Sequence, residues 1–326
     1  MRRKGVNYAR YGYIFSIPFV ITYLVFQLYP LLFTTIIGFT DYKGIGKIDF
    51  KFLEDIFGNF KLILKNPSFQ VSLKNTFGMW ILNFIPQILL ALLLTAWFTN
   101  NRRKIKGQGF FKVVFYMPNI ITQATIAILF YQLFQYPTGP VNSLLQNMGI
   151  MDASYNFLLN KTVSRGIIAF IQFWMWYGYT MIILVSGALG INPELYEASE
   201  IDGATSRQTF FKITIPNLRT ILLFTLVTSL VGGLNMFDIP KLFNNGGPDN
   251  GTLTSSVFIY NQAFSGSYMY NRAAAASLIM FGIIAICSAA LFLIMYDKDE
   301  ARIRKLEKKQ QKALRKIEKE TRRLAK

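Results

Sequence analysis

The chain has 326 residues, 52% of them hydrophobic, and its 35 lysines and arginines outnumber 17 acids to leave a net charge of +18. Mean hydropathy is +0.32, and the apolar residues fall in long uncharged blocks, which places the chain in a membrane rather than among soluble basic proteins. The absence of histidine removes His-based metal sites, His-based triads and the commonest proton relay, and the single Cys287 removes a disulfide framework; no catalytic or metal-ligating constellation is expected.

In chain order, residues 1–10 form a short basic start and Tyr11 to Thr40 carries no charge. That block is too long for a signal peptide and no small-residue cleavage site follows it, so it reads as an uncleaved helix. Residues 41–74 form a segment of mixed charge, where Phe52, Ile56, Phe60 and Ile63 recur at helical spacing and predict a surface amphipathic helix. Asn75 to Asn101 is the second uncharged block, and Val113 to Met151 the third, interrupted by Pro137-Thr138-Gly139-Pro140 and therefore counted as one span. Gly166 to Pro193, Thr220 to Phe237 and Ala273 to Tyr296 complete the set. About 20 residues rising 1.5 Å each cross a hydrocarbon core. The expectation is an all-α membrane protein with six transmembrane helices.

Lysine and arginine set the orientation. The N-terminus, the Arg102–Lys112 loop, the Arg207–Arg219 loop and the tail hold 25 of these residues, and the alternate loops hold 10. Both termini are therefore predicted inside (N-in/C-in), and the basic excess is a membrane-sidedness signal rather than a nucleic-acid footprint. The expected organisation is a cytoplasmic N-terminus over 1–10, a six-helix domain over 11–296 with a polar loop at 193–217, and a basic cytoplasmic tail over 297–326. The tail carries Ile303, Leu306, Ala313, Ile317 and Leu324 on one face. It reads either as a solvated helix laced with charge pairs or as a basic amphipathic helix on anionic membrane lipid.

The polar loop is the most informative stretch. Glu194, Glu197, Glu200 and Asp202 fall within nine residues of an otherwise basic protein. Pro193 stops the preceding helix, Asn192 is placed to cap the next one, and acids sit toward its positive end. Asp202-Gly203-Ala204 predicts a turn, and Phe210, Phe211, Ile213 and Ile215 a second apolar-faced helix up to Pro216. Four carboxylates on an interfacial helix pair would be repelled by anionic lipid; a basic protein partner would accept them.

Glu197-Ala198-Ser199, Gly203 six residues after the glutamate, then Ile213 and Pro216 resemble the EAA loop of the membrane subunits of binding-protein-dependent ABC importers. Ser199 stands where a second alanine is usual. Phe237-Asp238, Leu242-Phe243-Asn244-Asn245-Gly246-Gly247-Pro248, Tyr260 and Ala263-Phe264 resemble the carbohydrate-uptake branch, the relatives of the maltose permease larger subunit. Tyr13-Ile14 to Pro18, Phe26 to Pro30 and Phe115-Tyr116-Met117-Pro118 fit the same branch, so the resemblance covers about residues 10–297. It implies a type I ABC importer permease fold in a bacterial cytoplasmic membrane, with a coupling helix that docks on an ATPase. Glu197, Ala198, Ser199, Asp202, Gly203, Ala204, Phe210, Ile213 and Pro216 are the implied coupling residues. The implied partners are a second homologous permease, two ABC ATPase subunits, an extracellular or periplasmic solute-binding protein and a sugar. No GxxxxGK[ST] phosphate loop occurs in the chain, so ATP and Mg are expected on the partner subunits and no cofactor on this one.

Gln172, Phe173, Trp174, Trp176, Tyr177 and Tyr179 lie about 10–21 Å below Arg165 at 1.5 Å per residue, too deep for an interfacial aromatic belt. Aromatic rings can stack on the C–H faces of a sugar while amides and carboxylates pair with its hydroxyls. Gln172, Trp174, Trp176 and Tyr179 are therefore candidate substrate contacts, and the resemblance matches Gln172 and Tyr179 to sugar-contacting positions. It matches Ser229, Gly232, Gly233 and Met236 likewise, and Asn235 and Asp238 adjoin them. The paired glycines serve either close helix packing or a backbone that makes room for substrate. Asp238 is either a hydroxyl acceptor or the cap of a structural turn. The alternatives are a permease for a glycerol-phosphate-like solute, which needs a basic residue in the cavity, and an ATP-independent secondary transporter, which needs intramembrane ionisable groups. A membrane scaffold would leave the polar loop unexplained.

Overall fold

The computed structural model describes residues 9–44, 50–100, 105–265 and 268–295, with Leu306, Gln310, Gln311 and Leu314. The expectations for residues 1–8, for the tail beyond Met295 apart from those four positions, and for Arg102 to Lys104 lie outside the described residues. Helices dominate, and the only β pairing among the described residues is an isolated bridge between Thr40 and Phe52.

Five helices are long and apolar enough to span a membrane: α1 (Tyr11–Ile37), α3 (Pro67–Phe98), α7 (Lys161–Leu189), a run over Arg219–Asn244, and α13 (Tyr270–Met295). A sixth span is the pair α4 (Gln108–Tyr116) and α5 (Gln123–Leu133), bent by 86° at the break between them. The third uncharged block is thus a broken helix rather than a continuous one. Pro118 interrupts the ladder inside a 3-10 turn at Met117–Ile120, and Thr122 caps α5 by accepting the Thr125 N–H at 3.3 Å. Backbone exposed by such a break must find partners inside the membrane. The side chain of Asn119, inside the break, ties it to α7 by donating from Nδ2 to the Met175 carbonyl at 3.3 Å.

The run over Arg219–Asn244 is also interrupted. The uncharged block Thr220 to Phe237 is not one continuous helix: α11 (Arg219–Leu234) stops at Leu234 and α12 (Asp238–Asn244) restarts at Asp238, with Pro240 inside its first turn, where a missing N–H costs nothing. The three residues between them, Asn235 to Phe237, are held by a hydrogen bond from Thr254 Oγ1 to the Met236 carbonyl at 3.0 Å.

Outside the spans, α2 (Gly58–Lys65) buries Ile63, while Phe52 and Ile56 precede it and stay exposed, so the expected amphipathic helix is shorter than its periodicity implied. The apolar stretch at Val141–Leu145 forms α6 (Pro140–Asn147). The loop after α12 turns on Asn245 and Gly246, both with positive φ. It is clamped to the outer ends of α3 and α7. Arg165 donates from Nε to the Gly251 carbonyl (2.6 Å) and from Nη2 to Asn75 Oδ1 (2.8 Å), and Asn75 Nδ2 donates to the carbonyls of Asn250 (2.7 Å) and Leu253 (3.1 Å).

Three apolar clusters hold the helices together. One joins Phe69, Leu230, Leu234, Val257, Phe258 and Ala276 at the outer end. A second packs Met79, Ile126, Ile168, Ile171, Met175, Ile239 and Phe243. The third, toward the cytoplasm, packs Ala91, Leu94, Phe98, Met181, Leu184 and Val185. Helices α3 and α7 form the most extensive pair. Where α7 meets the end of α4, a side chain at Gly178 would collide with the Phe115 carbonyl. Hydroxyls inside the spans bond back one turn, as Thr76 to Ser72, Thr95 to Ala91 and Thr225 to Ile221, which satisfies them without water.

Candidate transport cavity and coupling loop

The two broken spans and the polar faces of α3 and α7 enclose a cavity of about 480 Å³. Nine of the ten residues singled out as substrate contacts line it: Gln172, Trp176, Tyr179, Ser229, Gly232, Gly233, Asn235, Met236 and Asp238. Trp174 does not. Its ring packs on Phe130 at 6.0 Å within the second apolar cluster, because two residues from Trp176 is more than half a helical turn away. Sequence reasoning missed Asn83, Gln87, Gln123, Thr180, Thr225, Thr228 and Phe237, which also line the cavity. Asn83 and Gln87 share a face of α3 as an i, i+4 pair of amides in a membrane span, and that pattern was a legible signal. Gln123 had none, because it reaches the cavity through the unforeseen break before α5.

Hydrogen bonding separates the structural polar groups from the available ones. Gln87 Nε2 donates to Thr180 Oγ1 at 2.7 Å, Asn83 Nδ2 to the Met79 carbonyl at 3.0 Å, and Asn235 Nδ2 to the Val231 carbonyl at 2.9 Å. Among the described residues the side chains of Gln123, Gln172, Trp176, Tyr179 and Asp238 have no such partner, although Gln172 is only 6% exposed. Buried polar groups are almost always paired, so this convergence is what a site for a polar ligand requires. Trp176 and Tyr179 meet edge to face, with centroids 5.6 Å apart, and present an apolar corner beside the amides.

The paired glycines serve both functions considered for them. A Cβ on Gly233 would strike the Trp80 indole, whereas one on Gly232 would have no heavy atom within 4 Å. Trp80 is fixed by stacking on Phe84 at 5.6 Å and by its Nε1 donating to Ser229 Oγ at 3.3 Å. Gly233 therefore permits helix packing, and Gly232 leaves the cavity open. Asp238 stands in the first turn of α12, where a carboxylate suits the helix dipole, and it also faces the cavity.

The polar loop is two capped helices. Asn192 caps α8 (Pro193–Ile201), its Oδ1 accepting the Glu194 N–H at 3.1 Å. At the other end Gly203 N–H donates to the Glu200 carbonyl and Ala204 N–H to the Ser199 carbonyl, a Schellman closure that needs the positive φ of Gly203, +72°. Thr205 and Gln208 then form a reciprocal capping box for α9 (Ser206–Thr209), which continues through a π-turn at Phe210–Thr214 into α10 (Ile215–Asn217) and on to α11.

Glu197, Ala198, Asp202, Gly203 and Pro216 are exposed; Ala204, Phe210 and Ile213 are half-buried. Ser199 is buried and turned inward, donating to the Tyr196 carbonyl at 2.7 Å with its Oγ 3.4 Å from Thr209 Oγ1. It lets the two loop helices close on each other. Ile201, which sequence reasoning overlooked, is 87% exposed beside Glu197, Glu200 and Asp202. Tyr196 is hydrogen-bonded to Thr214 across the loop at 3.2 Å, and Gly187 of α7 packs against Leu218 and Ile221. The loop is thus tied to α7 and α11, two walls of the cavity.

Residues 71–305 match the family described as binding-protein-dependent transport system inner membrane component. The chain belongs to that family. It is a multi-pass transport permease of the cytoplasmic membrane. It is similar to a lactose transport system permease protein of Rhizobium radiobacter, 32% identical over 86% of this chain and 92% of the relative. A multiple sugar-binding transport system permease protein of Streptococcus mutans is 31% identical over 88% and 95%. An arabinooligosaccharides transport system permease protein of Bacillus subtilis is 29% identical over 86% and 87%. Among solved structures, a bacterial ABC transporter involved in the import of the acidic polysaccharide alginate superposes with a TM-score of 0.72, covering 89% of this chain and 96% of that one at 23% identity. At that identity the likeness speaks for the fold.

Proposed function

We propose that this chain is a transmembrane subunit of an ATP-driven, binding-protein-dependent importer of an oligosaccharide. The observation that carries the reading is the cavity where Gln123, Gln172, Trp176, Tyr179 and Asp238 converge without partners inside the protein. An aromatic corner and unpaired amides suit a solute with apolar C–H faces and a belt of hydroxyls. The names of the similar permeases, for lactose, multiple sugars and arabinooligosaccharides, support the same class.

In this reading a second homologous permease supplies the facing wall, a solute-binding protein delivers the sugar from outside, and two ATPase subunits bind ATP and Mg. Glu197, Asp202 and the exposed Ile201 contact an ATPase, the acids meeting basic side chains and Ile201 entering an apolar depression. Ser199, Gly203, Ala204 and Phe210 set the shape of the loop. When the ATPases close, α8 is drawn inward, and the Tyr196–Thr214 and Gly187–Leu218 contacts carry that displacement to α7 and α11. The cavity then opens outward. When ATP is hydrolysed the movement reverses and the sugar leaves to the cytoplasm.

The test is to purify the chain from its native membranes and identify the co-purifying subunits. The complex is then reconstituted in proteoliposomes with the binding protein, and ATP-dependent uptake of lactose, maltose and arabino-oligosaccharides is measured. Stoichiometric ATPases and sugar uptake that stops without ATP are expected. A chain that transports alone, without ATP, overturns the reading.

A further inference from the structure

We infer that the cavity sorts sugars by charge, with Asp238 disfavouring oligosaccharides that bear a carboxylate and favouring neutral or amino-substituted ones. This rests on the sugar-binding reading above and adds to it a residue that sets specificity.

Asp238 is the single charged side chain among the described residues that line the cavity. Lys241 and Arg165, cations on two of the elements that line the cavity, are committed elsewhere. Lys241 follows three residues later on α12, but its Nζ donates to Asn261 Oδ1 at 2.8 Å and lies 4.7 Å over the Tyr260 ring. Arg165, at the outer end of α7, spends its guanidinium on Asn75 and the Gly251 carbonyl. Neither lines the cavity, and neither of the two salt bridges among the described residues, Lys61–Asp55 and Lys161–Asp249, involves Asp238.

A half-buried carboxylate without a counter-ion acts at longer range than one in water, because the surrounding helices screen it poorly. It accepts hydrogen bonds from sugar hydroxyls, and more strongly from an ammonium. Against a uronate it offers two acceptor-only groups that repel. The remaining polar lining, amides and hydroxyls, carries no charge to reverse that sign.

The experiment is a binding titration on the purified complex of the permease with its partner subunits, in lipid nanodiscs, without the binding protein. Saturation-transfer NMR, which reads weak affinities, would first select the tightest of lactose, maltose and arabinobiose. Two derivatives of that sugar, with one primary hydroxyl replaced by a carboxylate or by an ammonium, are then titrated. For the wild type the carboxylate derivative is expected to bind about tenfold more weakly than the parent, equivalent to about 1.4 kcal/mol, and the ammonium derivative at least as tightly. Asp238→Asn should remove the carboxylate penalty, Asp238→Lys should invert the order, and added salt should narrow the wild-type ratio. Equal ratios in wild type and Asp238→Asn overturn the charge-sorting inference while leaving the sugar reading intact. Binding of none of the three parent sugars overturns both.

Discussion

Gly232 and Gly233 are neighbours in α11, yet the structure assigns them opposite roles, and alanine at each separates packing from transport. A Cβ on Gly233 falls within the Trp80 indole, and Trp80 cannot swing away without losing its stacking on Phe84 and its bond to Ser229. Overpacking of this kind costs about 1–3 kcal/mol, offset by up to about 1 kcal/mol from replacing glycine in a helix. Gly233→Ala should therefore destabilise the protein by about 1–2 kcal/mol. Gly232→Ala meets no neighbour within 4 Å and should stabilise the helix by about 0.5–1 kcal/mol. The assay is thermal unfolding of the purified complex beside initial rates of ATP-driven uptake. The larger Gly232→Leu, whose side chain would enter the 480 Å³ cavity, should unfold near the wild-type temperature and transport at least about tenfold more slowly, a barrier of about 1.4 kcal/mol. A Gly232→Ala protein that unfolds earlier than Gly233→Ala, or a Gly232→Leu protein with unchanged uptake, refutes the assignment.

Three further outcomes are expected. Glu197→Lys reverses an exposed charge of the loop and should abolish sugar-stimulated ATP hydrolysis while leaving membrane insertion intact; normal coupling in that variant would remove Glu197 from the interface. Gln172→Ala deletes an unpaired amide that lines the cavity and should weaken sugar binding by about 1–1.5 kcal/mol, roughly five- to tenfold, with assembly preserved; unchanged uptake kinetics would count against Gln172 as a contact. Arg165→Ala leaves Asn75 Oδ1 and the Gly251 carbonyl without their donors and should cost about 1–3 kcal/mol, read as a lower unfolding temperature; an unshifted transition would mean the outer clamp contributes nothing.

What depends on local pattern was legible in the chain. Uncharged runs of membrane length located every span, and lysine and arginine counts assigned their sidedness. The first helix of the polar loop was legible because it is defined by its own ends, whereas the second starts at Ser206 and runs on past Pro216 toward α11. Asn192 caps one helix and Gly203 closes it, and each acts within a few residues of itself.

Tertiary structure decided what depends on how each helix is rotated and where it breaks. Apolar spans carry little sequence signal for rotation, because lipid and protein interior are almost equally apolar. Trp174 and Trp176 are therefore indistinguishable in sequence, yet one packs on Phe130 and the other faces the cavity. The same applies to Gly232 and Gly233, which only the position of Trp80 tells apart. The break at Met117–Ile120 brings Gln123 to the site, and Thr254, distant in sequence, holds the break at Met236. Membrane length and capping follow from the order of residues along the chain; the cavity follows from which faces of separate helices are pressed together.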